Sequence, residues 1–469
     1  MHVHFVGIAG IGMSGIARVL VEMGHEVSGS DLCETSLTKK LEERGVRFHL
    51  GHAKEHVRGA EIVVVSSAIP PENPEVVEAK EKNIPVWQRA EMLGYLMKSK
   101  YGIAVAGTHG KTTTTSMLAA ILERAGKDPT VVIGGELTEH GINAKLGKSD
   151  FLVAEADESD ASFLKLFPKI AVVTNIDADV NPSAGPFAIL HFDYEKTMER
   201  IEQIFLEFLQ GIPKDGYAVL CWDCQKLRRL VDVLPCPVLT YGIEREADLV
   251  ATDVELEGSK TRFIAHLKGE ELGEVILQVP GKHNVLNALG ALGAVLHLGI
   301  SFPEAQRALR DFQGVKRRFQ ILGEAAGILV VDDYAHNPTK IRATLAAAKA
   351  GWHRRLIAVF QPHRYTRTKF LLKEFVGAFQ DADILLVCEI YSAGEAPIPG
   401  IEGGGLVEEI KKAHPEKTVH FLPTPKAIRE KLLEISKSGD MVITLGAGDI
   451  YRTGNEFFNQ LQLDIRNAS

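Results

Sequence analysis

Cysteine is scarce. Cys33, Cys221, Cys224, Cys236 and Cys388 are the five in 469 residues, too few and too scattered to read as a disulfide framework. Cys221-Trp-Asp-Cys224 is a lone C-x-x-C with only Cys236 in range. A structural zinc site needs a full ligand set, so reduced and mostly buried thiols are expected instead. No run of about 18 apolar residues occurs, which excludes a membrane-spanning helix. The opening MHVHFVGIAGIG lacks a basic segment ahead of its apolar residues, so no secretory signal is expected and the compartment is read as cytoplasmic. Positive charge is in deficit, 53 Lys and Arg against 61 Asp and Glu, a formal net charge of -8. That balance excludes a broad nucleic-acid surface, because phosphate backbones select basic faces. It leaves room for a local cationic pocket around a nucleotide. Internal repeats and low-complexity tracts are missing as well.

What is present is an ordinary globular composition, 45% hydrophobic and 24% charged, in a chain too long for one core, so about two to four domains are expected. Strand, turn and helix alternate in three segments, the mark of an α/β fold. Residues 1–99 open with the strand VHFVG, a glycine stretch and the helix SGIARVLVEMG, the start of a Rossmann-like unit. Residues 100–316 open with the strand GIAVAG. They run on through GTHGKTTTT, DFLVAEAD, KIAVVTNID and the helix YEKTMERIEQIFLEFL to short strands over 246–280 and the helix NVLNALGALGAVLHLG. Residues 317–469 follow the basic joint KRRF and carry GILVVDDY, RRLIAVFQ, DADILLVCEI and DMVITLGAG. Each of these is an apolar run of strand length followed by a polar or glycine turn, which reads as a mostly parallel sheet.

The chemistry concentrates at strand ends. In GTHGKTTTT only two residues separate Gly107 from Gly110, two fewer than a standard phosphate loop has. Its setting is right, however: an apolar strand before it and a helix after it, where backbone N–H groups and the helix dipole favour phosphate. Lys111 would neutralise phosphate charge, and Thr112 or Thr113 would reach Mg²⁺. The competing reading is a glycine turn with a threonine-rich cap. In EADESD the first acid after the strand, Glu155, is placed to hold a metal ion; most of the remaining acids fit a solvated turn. Gly10-x-Gly12-x-x-Gly15, with Asp31 near the expected offset of about 20 residues, fits a diphosphate-binding fingerprint that NAD or a UDP-sugar would satisfy equally. Arg364 and Arg367, three apart after the strand LIAVFQP, could clamp a carboxylate or phosphate. Asp332, Asp333 and His336 stand at another strand end.

Taken together, HFVGIAGIGMSGIA, SGSD, SSAI, RAEML, AVAGTHGKTTTTSM, EADESDASF, VTNIDAD, PGKHNVLNALGA, GVKRRF, DDYAHNPTK, FQPHRYTRT and LGAGDI resemble the Mur ligase family almost end to end. A short G-T-x-G-K-[ST] loop is usual in that family. The resemblance implies three domains: an N-terminal Rossmann-like domain for a UDP-sugar, a central P-loop-type ATPase domain with a mostly parallel sheet, and a C-terminal Rossmann-like domain for an amino acid. It implies ATP and Mg²⁺, and UDP-N-acetylmuramate and L-alanine as substrates, in a monomer or homodimer with no nucleic-acid or membrane partner. ATP would phosphorylate the lactyl carboxylate, and the amine of alanine would displace phosphate from the acyl phosphate.

Carried over by motif, Lys111, Glu155 and His191 are the catalytic set, and Thr112, Glu155 and His191 the metal ligands. Gly107, Thr108, Gly110, Lys111, Thr112, Thr113, His283, Asn284, Asn287, Arg318 and Asp333 would bind ATP. Gly10, Gly12, Ser30, Asp31 and Ser67 would lie at the UDP-sugar, and His336, Arg364 and Arg367 at the amino acid. Two departures stand out. The family reads N-I-D-A-D-H, but here Val180 follows NIDAD and VNPSAGPFAIL precedes His191. Either His191 takes that histidine's place across a long loop, or the second metal site is altered. In DDYAHNPTK, Asn337 and Lys340 stand where the family usually has a second histidine and a glutamate. Three rivals are a ligase that attaches a recycled tripeptide to the same sugar nucleotide, an NAD-dependent dehydrogenase, and an ATP-binding regulatory protein without activity. EADESDASF and NIDAD favour the alanine enzyme, and a dehydrogenase leaves GTHGKTTTT and HNVLN without a role.

Overall fold

The computed structural model describes residues 1–66, 68–134, 143–158, 161–177 and 194–468, without the side chains of 194–197, 467 and 468. Ser67 and His191 lie outside the described residues.

Three sheets carry the described residues. The first consists of β1 (His2–Val6), β2 (Glu26–Asp31), β3 (Arg47–Leu50), β4 (Ile62–Val65) and β5 (Val86–Gln88). Their order is β3-β2-β1-β4-β5 and every pairing is parallel. The second contains β6 (Tyr101–Ala106), β7 (Thr130–Val132), β8 (Ala144–Lys145), β9 (Phe151–Glu155), β10 (Ile170–Val173), β11 (Tyr217–Cys221), β12 (Val238–Gly242), β13 (Leu249–Glu257), β14 (Lys260–Leu267) and β15 (Glu270–Leu277). Their order is β15-β14-β13-β12-β11-β10-β6-β9-β7-β8. It is parallel from β7 to β13, while β13–β14–β15 form an antiparallel extension. The third contains β16 (Gln320–Ala325), β17 (Ile328–Asp333), β18 (Arg355–Phe360), β19 (Ile384–Val387), β20 (Thr418–Phe421) and β21 (Asp440–Leu445), ordered β16-β17-β21-β18-β19-β20. Only β16 runs antiparallel there. This is the three-domain, mostly parallel α/β architecture expected.

Burial explains the strand patterns. The central strands β6, β9 and β10 and the C-terminal strands β17 and β21 are buried along almost their whole length, as parallel strands covered by helices on both faces must be. By contrast β13–β15 mix buried and exposed positions, the pattern of a sheet with one wet face. The first two sheets share one apolar core, running from Val3 and Phe5 through Met92 and Ile103 to Val315. The third sheet has its own cores on its two faces.

The order β11-β10-β6-β9 has one consequence for the site. The segments after these four strands lie side by side at one carboxyl edge, where open α/β sheets bind ligands. They are the stretches that begin at Trp222, Thr174, Gly107 and Ala156.

Candidate functional site

The phosphate-type loop is held from below by the end of β10. Thr108 N donates to Asn175 O at 3.1 Å, and His109 N donates to Asn175 Oδ1 at 2.9 Å. Thr108 Oγ1 donates to Asp177 O, and Asp177 N donates back to Thr108 Oγ1. The shortened spacing works because both glycines take backbone angles closed to other residues, φ +129° at Gly107 and +81° at Gly110. A Cβ on Gly110 would meet Asn287 Oδ1 at 2.3 Å. Gly110→Ala is therefore expected to cost about 2–4 kcal/mol and to weaken binding of an ATP analogue; denaturation midpoints and a binding titration check both.

Helix formation starts at Lys111, with Gly110 as its N-cap, and runs to Arg124. The threonines thus lie inside the helix rather than in a loop before it, and Thr112–Thr115 are buried. Thr115 Oγ1 and Ser116 Oγ donate back to the carbonyls of Lys111 and Thr112, which leaves Thr112 to face Glu155. Thr112 Oγ1 donates to Glu155 Oε2 at 3.0 Å, and Gly134 N donates to the same oxygen at 2.8 Å. A hydroxyl beside a carboxylate is a hard oxygen pair that fits Mg²⁺. Among the described residues no group of three or more His, Cys, Asp or Glu side chains could hold a metal ion. Lys111 Nζ donates to Gly107 O at 2.7 Å and to Glu158 Oε2 at 2.6 Å. Burial works against the Lys111 charge, but Glu158, Asp157 and Glu155 outweigh it and raise the pKa. The ammonium is therefore kept.

Beside the loop a cavity of about 410 Å³ opens between the second and third sheets. His109, Gly110, Thr112 and Thr113 line one side, His283, Asn284 and Asn287 another, and Arg318 and Asp333 close it from the C-terminal part. The helix Lys282–His297 supplies the middle group. Its asparagines form a chain: Thr114 Oγ1 donates to Asn287 Oδ1, Asn287 Nδ2 to Asn284 Oδ1, and Asn284 Nδ2 to Pro280 O. Burial, then the nearby Arg318, lower His283 to about 4. Its ring is neutral at physiological pH. Eight of the eleven residues expected at ATP therefore line one cavity, and Lys111, Gly107 and Thr108 belong to the loop at its edge.

Several cavity residues lie in stretches noted in the sequence, NIDAD and the lone C-x-x-C, but carried no assigned role at ATP there. Asp177, just after β10, bridges His109 Nε2 at 3.1 Å and Thr339 Oγ1 at 2.8 Å, tying the loop to the third sheet. Its place at a strand end was the available clue. Cys221, Asp223 and Cys224 form part of the cavity wall. Cys224 Sγ accepts from Ile176 N, and burial, then Asp223, push the Cys221 thiol up to about 12. The lone C-x-x-C is thus part of a pocket wall. Cys221, Cys236 and Cys388 are buried free thiols, Cys224 is partly buried and Cys33 is exposed.

The N-terminal glycines require a shift of register. The loop runs from Gly7, at φ +85°, to Gly10, the N-cap of the helix Ile11–Glu22. Gly12 and Gly15 lie inside that helix. A Cβ on Gly12 would meet Arg89 Nη1 at 2.9 Å and one on Gly15 would meet Ala144 at 3.1 Å, so these two serve close packing. Asp31 accepts from Ala9 N at 2.9 Å and braces the loop. Ser30 is buried, its hydroxyl donating to Glu75 Oε2 at 2.6 Å, while its carbonyl takes Gly7 N and Ile8 N. It shapes the loop from beneath.

His336, Arg364 and Arg367 form a separate cluster at the ends of β17 and β18, outside the cavity lining. The His336 and His363 rings are 5.8 Å apart, Arg367 Nη1 contacts His363 Nδ1 at 3.0 Å, and Arg364 Nη1 donates to Glu395 Oε1 at 3.2 Å. Asn337 caps the helix Pro338–Gly351 by accepting from Lys340 N, which accounts for an asparagine at that position.

Comparison with known proteins agrees with this layout. Residues 2–101 match the family model described as Mur ligase family, catalytic domain; 105–295 match the Mur ligase middle domain; 317–448 match the Mur ligase, glutamate ligase domain. The chain belongs to the Mur ligase family. It is 53% identical over 463 residues to a UDP-N-acetylmuramate–L-alanine ligase of Geotalea uraniireducens, covering 99% of this chain and 98% of that one. It is 51% identical to its counterpart in Geobacter sulfurreducens, covering 98% and 97%. Among solved structures it superposes on a UDP-N-acetylmuramate–alanine ligase from Thermotoga maritima with TM-score 0.80 at 29% identity, covering 99% of this chain and all of that one. It superposes on a murein peptide ligase from Psychrobacter arcticus with TM-score 0.70 at 27% identity, covering 98% of each.

Proposed function

We propose that the protein is an ADP-forming ligase of peptidoglycan precursor synthesis that joins L-alanine to the lactyl carboxylate of UDP-N-acetylmuramate. The observation that carries this is the cavity beside Lys111, Thr112 and Glu155, roofed by Arg318 and Asp333, in a chain 53% identical end to end to an alanine-adding ligase. In this reading residues 1–99 hold the sugar nucleotide, 100–316 hold ATP, and 317–469 bring the amino acid, in the cytoplasm.

A carboxylate is a poor electrophile. Transfer of the γ-phosphoryl group to one of its oxygens, with ADP leaving, makes that oxygen a good leaving group. The alanine amine then bonds to the acyl carbon, loses a proton, and the C–O bond to phosphate breaks. The protein's part is positioning and charge neutralisation. Lys111 and the backbone N–H groups at the helix start hold phosphate oxygens. Thr112 and Glu155 would hold Mg²⁺, which when bound screens the phosphate charges. Neutral His283 and the Asn284–Asn287 chain take the base of the nucleotide, and Arg318 and Asp333 contact it from the third sheet. Arg364, Arg367 and His336 take the carboxylate end of alanine, and the loop from Gly7 to Gly10, with Asp31, takes the diphosphate of the sugar nucleotide.

The test is phosphate release with ATP and UDP-N-acetylmuramate, comparing L-alanine with the murein tripeptide. Alanine-dependent release is expected. Release with tripeptide but not alanine would move the protein to the murein peptide ligase activity named for the Psychrobacter relative.

A further inference from the structure

We propose that Glu158 is a positioning residue that stands in for the nucleotide phosphate: its carboxylate holds Lys111 in the nucleotide-free enzyme and gives the ammonium up when a phosphate arrives. The inference deepens the reading of 107–111 as a phosphate loop and rests on it. Glu155 is bonded to Thr112 and Gly134. Glu158, three residues further on and buried, is the acid bonded to Lys111, at 2.6 Å. The second Lys111 contact, to Gly107 O, draws the ammonium back over the loop. The lysine is thereby held in place before any ligand arrives, with a carboxylate where a phosphate oxygen would sit.

Two anions cannot share this ammonium in a buried site without strong repulsion. Glu158 must therefore release the ammonium, and the released buried carboxyl takes up a proton. Burial already raises its pKa, Lys111 opposes that rise, and Asp157 adds to it. Once Lys111 turns to a phosphate, the opposing contribution falls and protonation is favoured. Among the described residues the charged groups around the carboxyl are Lys111 from the loop and Asp157 from its own segment, and Asp157 in turn lies 3.9 Å from Arg89 on the helix Arg89–Lys98. A purely structural role makes the opposite prediction, that removing Glu158 leaves Lys111 badly placed and weakens nucleotide binding.

The experiment is calorimetric titration of the full-length protein with a non-hydrolysable ATP analogue at pH 7, in two buffers of different ionisation enthalpy. The wild type is expected to take up a fraction of a proton on binding. Glu158→Gln is expected to bind about tenfold tighter, the scale of one hydrogen bond to a charged group, with proton uptake near zero. Glu158→Asp keeps the charge but withdraws it by one methylene, and is expected to fall between; it also serves if the Gln variant does not fold. In a Lys111→Ala background the gain from Glu158→Gln should vanish. Unchanged or weaker binding by a folded Glu158 variant, or unchanged proton uptake, overturns the inference alone. Absence of analogue binding by the wild type overturns the phosphate-loop reading and the inference with it.

Discussion

Lys111→Ala is expected to lower alanine-dependent phosphate release by about 10³-fold or more, with the fold retained. The lysine is the first residue of its helix, where alanine is at least as good a helix former. Its side-chain bonds go to Gly107 O and Glu158. The acids around it keep it charged, so a full positive charge is fixed at the loop before substrate arrives. That preorganisation is lost in the variant. Glu158, then unpaired and buried, takes a proton instead, which limits the stability cost at neutral pH. Lys111→Arg is not expected to rescue activity, because a planar guanidinium does not fit a point-charge site between two backbone turns. Steady-state phosphate release and an analogue titration should show kcat lowered and nucleotide affinity weakened together. A variant within about tenfold of wild type in kcat/KM would remove Lys111 from the mechanism.

The central site was legible because its chemistry is local. A glycine turn, a lysine and a helix start occupy five consecutive residues, and a strand-end acid announces itself by the apolar run before it. Pairing information was not legible. Asp177 and Thr339 are 162 residues apart, and no periodicity connects them. Glu158 read as one acid among several in a solvated turn, whereas the fold buries it on Lys111. The N-terminal fingerprint was misaligned because GIAGIGMSG contains overlapping glycine patterns. Only the end of β1 at Val6 decides which glycines form the loop and which pack against Arg89 and Ala144. The three α/β segments were readable from strand–helix alternation, but not the single core shared by the first two sheets, since core continuity depends on how the sheets are set together. Ser67 and His191 lie outside the described residues, so the substitution proposed for His191 rests on the sequence.

Acid should destabilise the N-terminal sheet first, and Glu75 is the reason. Glu75 is fully buried, in the first turn of the helix Pro74–Glu81, next to its N-cap Asn73. His56 Nδ1 lies 2.6 Å from Oε1; Ser30 Oγ donates to Oε2 at 2.6 Å and His52 Nδ1 lies 3.1 Å from it. Burial raises its pKa, but His4, Ser30 and His56 outweigh that and bring it down to about 2. His4 Nε2 is 3.7 Å away, beyond hydrogen-bond reach, so the direct hydrogen bonds come from Ser30 and His56. A lowered carboxylate contributes stability that is complete above its unfolded value near 4.5 and is lost as pH falls towards about 2. His4, whose pKa is lowered chiefly by burial, acts in the same direction from a higher pH. The folded state keeps it neutral while the unfolded chain protonates below about 6.5, so stability begins to fall there. Glu75→Ala, which strips the acceptor from Ser30 and two histidines at once, is expected to cost about 3–5 kcal/mol at pH 7. Glu75→Gln should cost less and flatten the profile below pH 4.5. Urea unfolding followed through Trp87, which lies in β5 of the same sheet, measures this at pH 7, 5, 4 and 3. If Glu75→Gln tracks the wild type in parallel across that range, Glu75 is not the acid-sensitive group, and the early loss belongs to His4 alone.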